Sequence, residues 1–340
     1  MPAFIRIFAG IFSIFLASPA LAVGFQFQSI PDEAGRPIEF GIWYPSNSEP
    51  SRISVGSVEQ NAALNGTISG NKLPVVIFSH GSAGWFGDRV ETARLFAEQG
   101  LVAVSLTYPG DNYKDSSDRA GRQMTNRPKV TSEVLDYVLE RWAGRDHLDG
   151  TQVGFYGFSA GGFTGLVEIG GRPDWSLFAK HCQSDPAEGV CRQGVASFLS
   201  SPQAAAMPAS TWHHDSRIKA AALASPGFGF AFDPNSLQAV KIPIRLWGGQ
   251  RDAVVPFKSN VAYLADHLPN VVNIEEVAGA QHYSFLKSCS EALRAKNLET
   301  CSDSPGFDRD AFQKKLSNDL LAFFKTHLMP KALSDGSARK

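Results

Sequence analysis

The chain carries almost no net charge: 32 Lys and Arg stand against 33 Asp and Glu, leaving -1. It has no cluster of basic residues either. Without a basic patch there is no electrostatic footprint for nucleic acid, so no nucleic-acid partner is expected. Beyond the N-terminal 22 residues, no apolar run is long enough to cross a bilayer. An integral membrane span is therefore excluded as a reading. Internal repeats are absent, which argues against a repeat array. Cysteine is scarce, with four residues in 340. That is too few to carry the fold, and the core must come from apolar packing.

What is present begins with a leader. Arg6 precedes the apolar stretch Ile7–Leu16, and Ala20-Leu21-Ala22 supplies a small-x-small cleavage site. Residues 1–22 read as a signal peptide for export, with the mature chain starting near Val23. A periplasmic or secreted location follows. The cysteines agree, since an oxidising compartment favours disulfides over free thiols. Four cysteines allow three connectivities. The expected one joins neighbours, Cys182 with Cys191 and Cys289 with Cys301.

Residues 23–340 suit one large α/β domain, and the walk along them alternates strand and helix. Gly24–Ile30 and Ile38–Tyr44 predict an opening antiparallel pair, with a turn near Asp32–Gly35. Residues 45–72 are rich in Ser, Asn and Gly and read as a surface loop. Leu73–Phe78 reads as a buried strand, Val90–Gln99 as a helix stopped by Gly100, and Leu101–Thr107 as a strand. Pro128–Trp142 has an apolar stripe at helical spacing. Ala311–His327 predicts a closing helix, followed by a frayed tail over 328–340. Such alternation implies a mainly parallel, doubly wound sheet covered on both faces.

Four short motifs carry the chemistry. Gly157-Phe158-Ser159-Ala160-Gly161 follows a strand-like run and precedes a helix-like one. That context is a nucleophile elbow, with the serine at a strained corner and its hydroxyl exposed. Upstream, Ser79-His80-Gly81-Ser82-Ala83-Gly84 ends the strand Leu73–Phe78. Its small residues suit a loop that offers a backbone N–H to an oxyanion, and the donors expected are Ser82 and Ala160. Downstream, Asp252 follows the strand Ile242–Trp247, and His282 follows the last strand, Val271–Val277. Serine, aspartate and histidine in that order match one of the known catalytic-triad orders. His213-His214-Asp215 has metal-ligand residue types, but adjacent histidines point different ways, and no metal or other cofactor is expected.

These segments together resemble an α/β-hydrolase of the bacterial dienelactone-hydrolase-like group, related to platelet-activating-factor acetylhydrolases. The resemblance spans roughly residues 25–327. It rests on Ser79-His80-Gly81-Ser82, Tyr108-Pro109-Gly110-Asp111-Asn112, Gly157–Gly162, Gly249-Gln250-Arg251-Asp252 and Gly279-Ala280-Gln281-His282. Dienelactone hydrolase itself uses a cysteine nucleophile, where this chain has Ser159. The acetylhydrolases place their acid after the preceding strand, here Ile218–Pro226. No carboxylate occurs there, which favours Asp252.

The resemblance implies an α/β-hydrolase fold and acyl transfer from a small-molecule ester to Ser159. His282 would be the general base, and Asp252 would orient it. A peptidase of the prolyl-oligopeptidase type is the competing enzyme, and a binding protein on an inactive hydrolase scaffold is the competing class. One insertion stands out over residues 171–217, with Trp175, Leu177, Phe178, Val195, Phe198, Leu199, Met207 and Trp212. It reads as a lid shaping an apolar pocket over Ser159. Asp111, Trp175 and Trp212 are the residues expected to line that pocket.

Overall fold

Among the described residues, ten strands form one sheet. In chain order they are β1 (Ala22–Pro31), β2 (Pro37–Ser46), β3 (Ser51–Val55), β4 (Val58–Leu64), β5 (Leu73–Ser79), β6 (Val102–Thr107), β7 (Leu148–Phe158), β8 (Ile218–Ala224), β9 (Ile244–Gly249) and β10 (Val271–Val277). Their spatial order is β10-β9-β8-β7-β5-β6-β2-β1-β4-β3. Strands β5 to β10 run parallel, and β2 joins them antiparallel through β6. The computed structural model describes residues 22–56, 58–118, 121–192, 194–296 and 298–329. The expected leader, save Ala22, and the tail from 330 onward lie outside the described residues.

The central strands are apolar on both faces because both faces are covered. Along β5, Val75 and Ile77 enter one buried cluster, while Val76 and Phe78 enter the other. Helices α1 (Val90–Glu98), α2 (Gln123–Asp136), α3 (Ala160–Glu168) and α4 (Trp175–Ser184) supply the cover, with the closing helix Arg309–Leu328. Phe96 of α1 and Leu316, Leu320 and Phe324 of the closing helix pack on one face. Val134 of α2, Phe163 and Leu166 of α3, and Phe178 of α4 pack on the other. Asp308 caps the closing helix by accepting from the Ala311 N–H at 3.0 Å.

Two expectations from the sequence are corrected. Residues 45–72 contain the hairpin β3–β4, and β4 lies parallel to β1 at Gly24↔Ala63 and Phe25↔Leu64. Few side chains of the hairpin are buried, so its hydrophobic pattern is weak. The Trp43 indole N–H donates to Gln60 Oε1 at 2.8 Å and pins it to the core. The helix expected from Pro128 begins at Gln123 instead and turns into a π-helical turn over Tyr137–Arg141. Pro128 lies inside that helix, where it removes one backbone donor. Packing holds the first turns: Met124 and Arg127 are both buried.

Candidate active site

Ser159 sits between the end of β7 and the start of α3, with φ 55° and ψ -115°. A non-glycine residue there stores roughly 1–3 kcal/mol of strain, which the surroundings must hold. The Ser159 N–H donates to the Ala224 carbonyl at 3.0 Å, and the Gly227 N–H donates to the Ser159 carbonyl at 3.1 Å. The flanking glycines have a steric reason. A Cβ on Gly157 would lie 2.2 Å from the Gly161 carbonyl oxygen, and one on Gly161 would lie 2.2 Å from the Ser79 carbonyl oxygen. The turn closes only without those atoms, and it seats the start of α3 on the end of β5.

Three side chains from three sheet loops meet at this corner. His282 Nε2 lies 3.0 Å from Ser159 Oγ, and His282 Nδ1 lies 2.8 Å from Asp252 Oδ2. With Nδ1–H donating to the carboxylate, Nε2 is free to accept the serine proton. Asp252 is buried, and its other oxygen accepts from the backbone N–H groups of Val254 at 3.0 Å and Val255 at 2.7 Å. The carboxylate is therefore held in one orientation. The imidazole lies beside the Phe158 ring, with centroids 5.0 Å apart.

The loop bearing His282 is braced from behind. Ser284 Oγ donates to Asp303 Oδ1 at 2.7 Å, and Asp303 pairs with Arg309 at 2.8 Å. Gln313 of the closing helix donates to the Ser284 carbonyl at 2.6 Å. Cys289–Cys301 and Cys182–Cys191 are both bridged. Nothing in the sequence signalled the Ser284–Asp303–Arg309 chain, because its members are ordinary polar residues with no motif around them.

Ser82 and Ala160 both border the small cavity that reaches Ser159. Ala160 is the first residue of α3, where a backbone N–H has no partner within the helix. The cavity holds about 80 Å³, walled by Met124, Val190, Phe228 and Val255, with Gln123 and Glu188 adding polar edge. Glu188 and Val190 come from the 171–217 insertion, between the two bridged cysteines. A wider groove of about 530 Å³ runs between α1 and the closing helix, but it contains none of the three residues at the corner. Chemistry, not size, marks the candidate site.

Asp111, Trp175 and Trp212, expected to line the pocket, are not among the residues that border the cavity at Ser159. Trp175 is buried against Phe163, at 5.9 Å between ring centroids, and Trp212 packs on the same ring at 6.2 Å. Both serve the core beneath the insertion. Asp111 is fully buried and ion-paired to Arg127 at 2.8 Å. Their apolar or acidic character was legible, but the direction each side chain takes was not. Asp215 is likewise committed, pairing with Arg217 and accepting from Ser132 at 2.9 Å. Among the described residues, no group of three or more His, Cys, Asp or Glu is placed to hold a metal ion.

No protein-family model matches the chain, and no curated protein matches it. Among solved structures it is similar to a ferulic acid esterase from Streptomyces cinnamoneus. That likeness has a TM-score of 0.63 at 17% identity, over 94% of this chain and 95% of the other. An identity so low speaks for the fold alone, and the fold is that of the α/β-hydrolases.

Proposed function

We propose that this protein is a periplasmic or secreted serine hydrolase that cleaves carboxylic esters through an acyl-enzyme on Ser159. The observation that carries the reading is the continuous contact Ser159–His282–Asp252, at 3.0 and 2.8 Å. Ser159 Oγ attacks the ester carbonyl carbon as its proton passes to His282 Nε2. The carbonyl oxygen becomes an oxyanion, met by the N–H groups of Ser82 and Ala160. Collapse breaks the ester C–O bond, and the alcohol leaves with the proton from His282. Water then attacks the acyl-enzyme by the same path, releasing the acid and restoring Ser159.

In this reading residues 1–22 are a signal peptide, and 23–340 form one hydrolase domain of the dienelactone-hydrolase-like kind. The 171–217 insertion forms part of the acyl pocket through Glu188 and Val190. A cavity of about 80 Å³ is well below the ~300–1,000 Å³ of pockets for drug-sized ligands, which suits short acyl chains. The test uses p-nitrophenyl esters from acetate to decanoate, aminoacyl-anilides and a fluorophosphonate label. Hydrolysis of short esters, and labelling that Ser159→Ala abolishes, are expected. Anilide cleavage without ester cleavage would assign a peptidase. No labelling would leave a binding protein.

A further inference from the structure

Arg127, on α2, hydrogen-bonds the backbone of the candidate oxyanion loop. It is 2% exposed, buried with Asp111 as its counter-ion. Its Nε donates to Asp111 Oδ2 at 2.9 Å, Nη1 to the His80 carbonyl at 2.6 Å and Nη2 to the Gly81 carbonyl at 3.1 Å. The Tyr108 ring lies under the guanidinium, 4.3 Å from its central carbon. Asp111 Oδ1 in turn accepts from the Ala83 N–H at 3.3 Å. One buried ion pair thus grips the backbone of residues 80, 81 and 83, on both sides of Ser82.

The Gly81 carbonyl is the point that matters. It belongs to the same planar peptide unit as the Ser82 N–H, and no cis peptide bond occurs among the described residues. In a trans unit the two groups point in opposite directions. A donor that fixes the carbonyl therefore fixes the aim of the N–H. A second donor reaches the same oxygen. The Tyr108 N–H donates to His80 Nε2 at 3.3 Å, so the ring proton sits on Nδ1, 2.5 Å from the Gly81 carbonyl. Donors on a carbonyl also polarise the amide and strengthen its own N–H as a donor.

We infer that Arg127 is a positioning residue for the oxyanion hole: it clamps the Gly81–Ser82 peptide so that the Ser82 N–H faces the developing oxyanion. The inference rests on the ester-hydrolase reading above. A guanidinium suits the task because its fork reaches two carbonyls and a carboxylate at once, whereas an ammonium is a point charge. Asp111 balances the charge, since a lone buried cation would be costly. The clamp acts on the transition state, where the oxyanion exists, and little on the bound ester.

The test compares Arg127→Lys and Arg127→Met with wild type on p-nitrophenyl acetate, with folding followed by circular dichroism. Removing an oxyanion donor outright costs about 100- to 1,000-fold in kcat, so a misaimed donor is expected to cost about 10- to 100-fold. KM should stay within about threefold, the signature of an interaction made only in the transition state. The pH at which kcat/KM reaches half its plateau should not move, because His282 and Asp252 are untouched. Added guanidinium ion should restore part of the kcat of Arg127→Ala. A folded Arg127→Lys with kcat within about threefold of wild type overturns the inference. Should the Arg127 variants fail to fold, Asp111→Asn decides. It keeps an oxygen for Ala83 but loosens the guanidinium, and unchanged kcat there overturns the inference too. A wild type inactive on every ester sinks both readings. An active wild type with indifferent variants sinks this one alone.

Discussion

The Arg251 N–H donates to the Ala280 carbonyl at 2.9 Å, tying the loop of Asp252 to the loop of His282. These loops follow neighbouring parallel strands, β9 and β10, and the bond joins them one residue before the acid and two before the imidazole. The 2.8 Å contact between Asp252 and His282 is thus set by backbone, not by two side chains finding each other. For the proposed mechanism such positioning is worth much, since errors of about 1 Å can cost ~100-fold in rate.

Ser159→Ala, Asp252→Asn and His282→Ala are each expected to lower kcat by several orders of magnitude, with little change in melting temperature. Triad members act as a unit, so single losses are near-total. The check is kcat on p-nitrophenyl acetate alongside a thermal melt. Near-wild-type activity in Asp252→Asn would remove Asp252 as the acid.

In the proposed mechanism His282 Nε2 accepts the proton of Ser159 Oγ, 3.0 Å away, and no metal takes part. EDTA should leave the activity unchanged, because the proposed mechanism activates the serine by an imidazole. Loss on chelation, with recovery on adding Zn²⁺, would contradict this mechanism.

The two disulfides should separate by phenotype. Cys289–Cys301 closes 12 residues beside Asp303, the acceptor that braces the His282 loop through Ser284. Its loss should lower kcat and cost up to roughly 3 kcal/mol of stability. Cys182–Cys191 encloses Glu188 and Val190, which border the cavity at Ser159. Its loss should change acyl preference more than kcat on acetate. Double-serine variants tested on a series of ester lengths check both. An unchanged kcat in a folded Cys289/Cys301 variant would deny that bridge a part in placing His282.

Glu168, the last residue of α3, should destabilise the fold at neutral pH. Neither carboxyl oxygen has a hydrogen-bond partner among the described residues. Burial, and then the nearby Asp215 carboxylate, push its pKa well above the ordinary glutamate value. The folded state therefore holds a proton that the unfolded chain releases above about 4.5. Stability contributed by that proton is complete below this pH and is lost as pH rises toward the folded-state value. Glu168→Gln, which mimics the protonated acid, should melt higher than wild type at pH 7–8, by roughly 2 °C or more. The difference should shrink toward pH 4. A difference that does not grow with pH would show that Glu168 is not held protonated.

Much of this was legible in order and spacing. Strands apolar on both faces, such as Leu73–Ser79, mark themselves by continuous hydrophobic runs. Gly157 and Gly161 announce a turn too tight for side chains, and Asp252 and His282 each follow a strand that runs into small residues. Those are local properties, and one-dimensional order is enough to read them. The hairpin β3–β4, the early start of α2 and the roles of Asp111, Trp175 and Trp212 were decided only in three dimensions. In each case a polar or aromatic side chain has two environments open to it, solvent or core, and the chain alone does not choose. Arg127 is the clearest instance. In the sequence it is one more charged residue before a proline. Folding buries it against Asp111 and the His80 and Gly81 carbonyls, because those are the partners that make burying a charge tolerable.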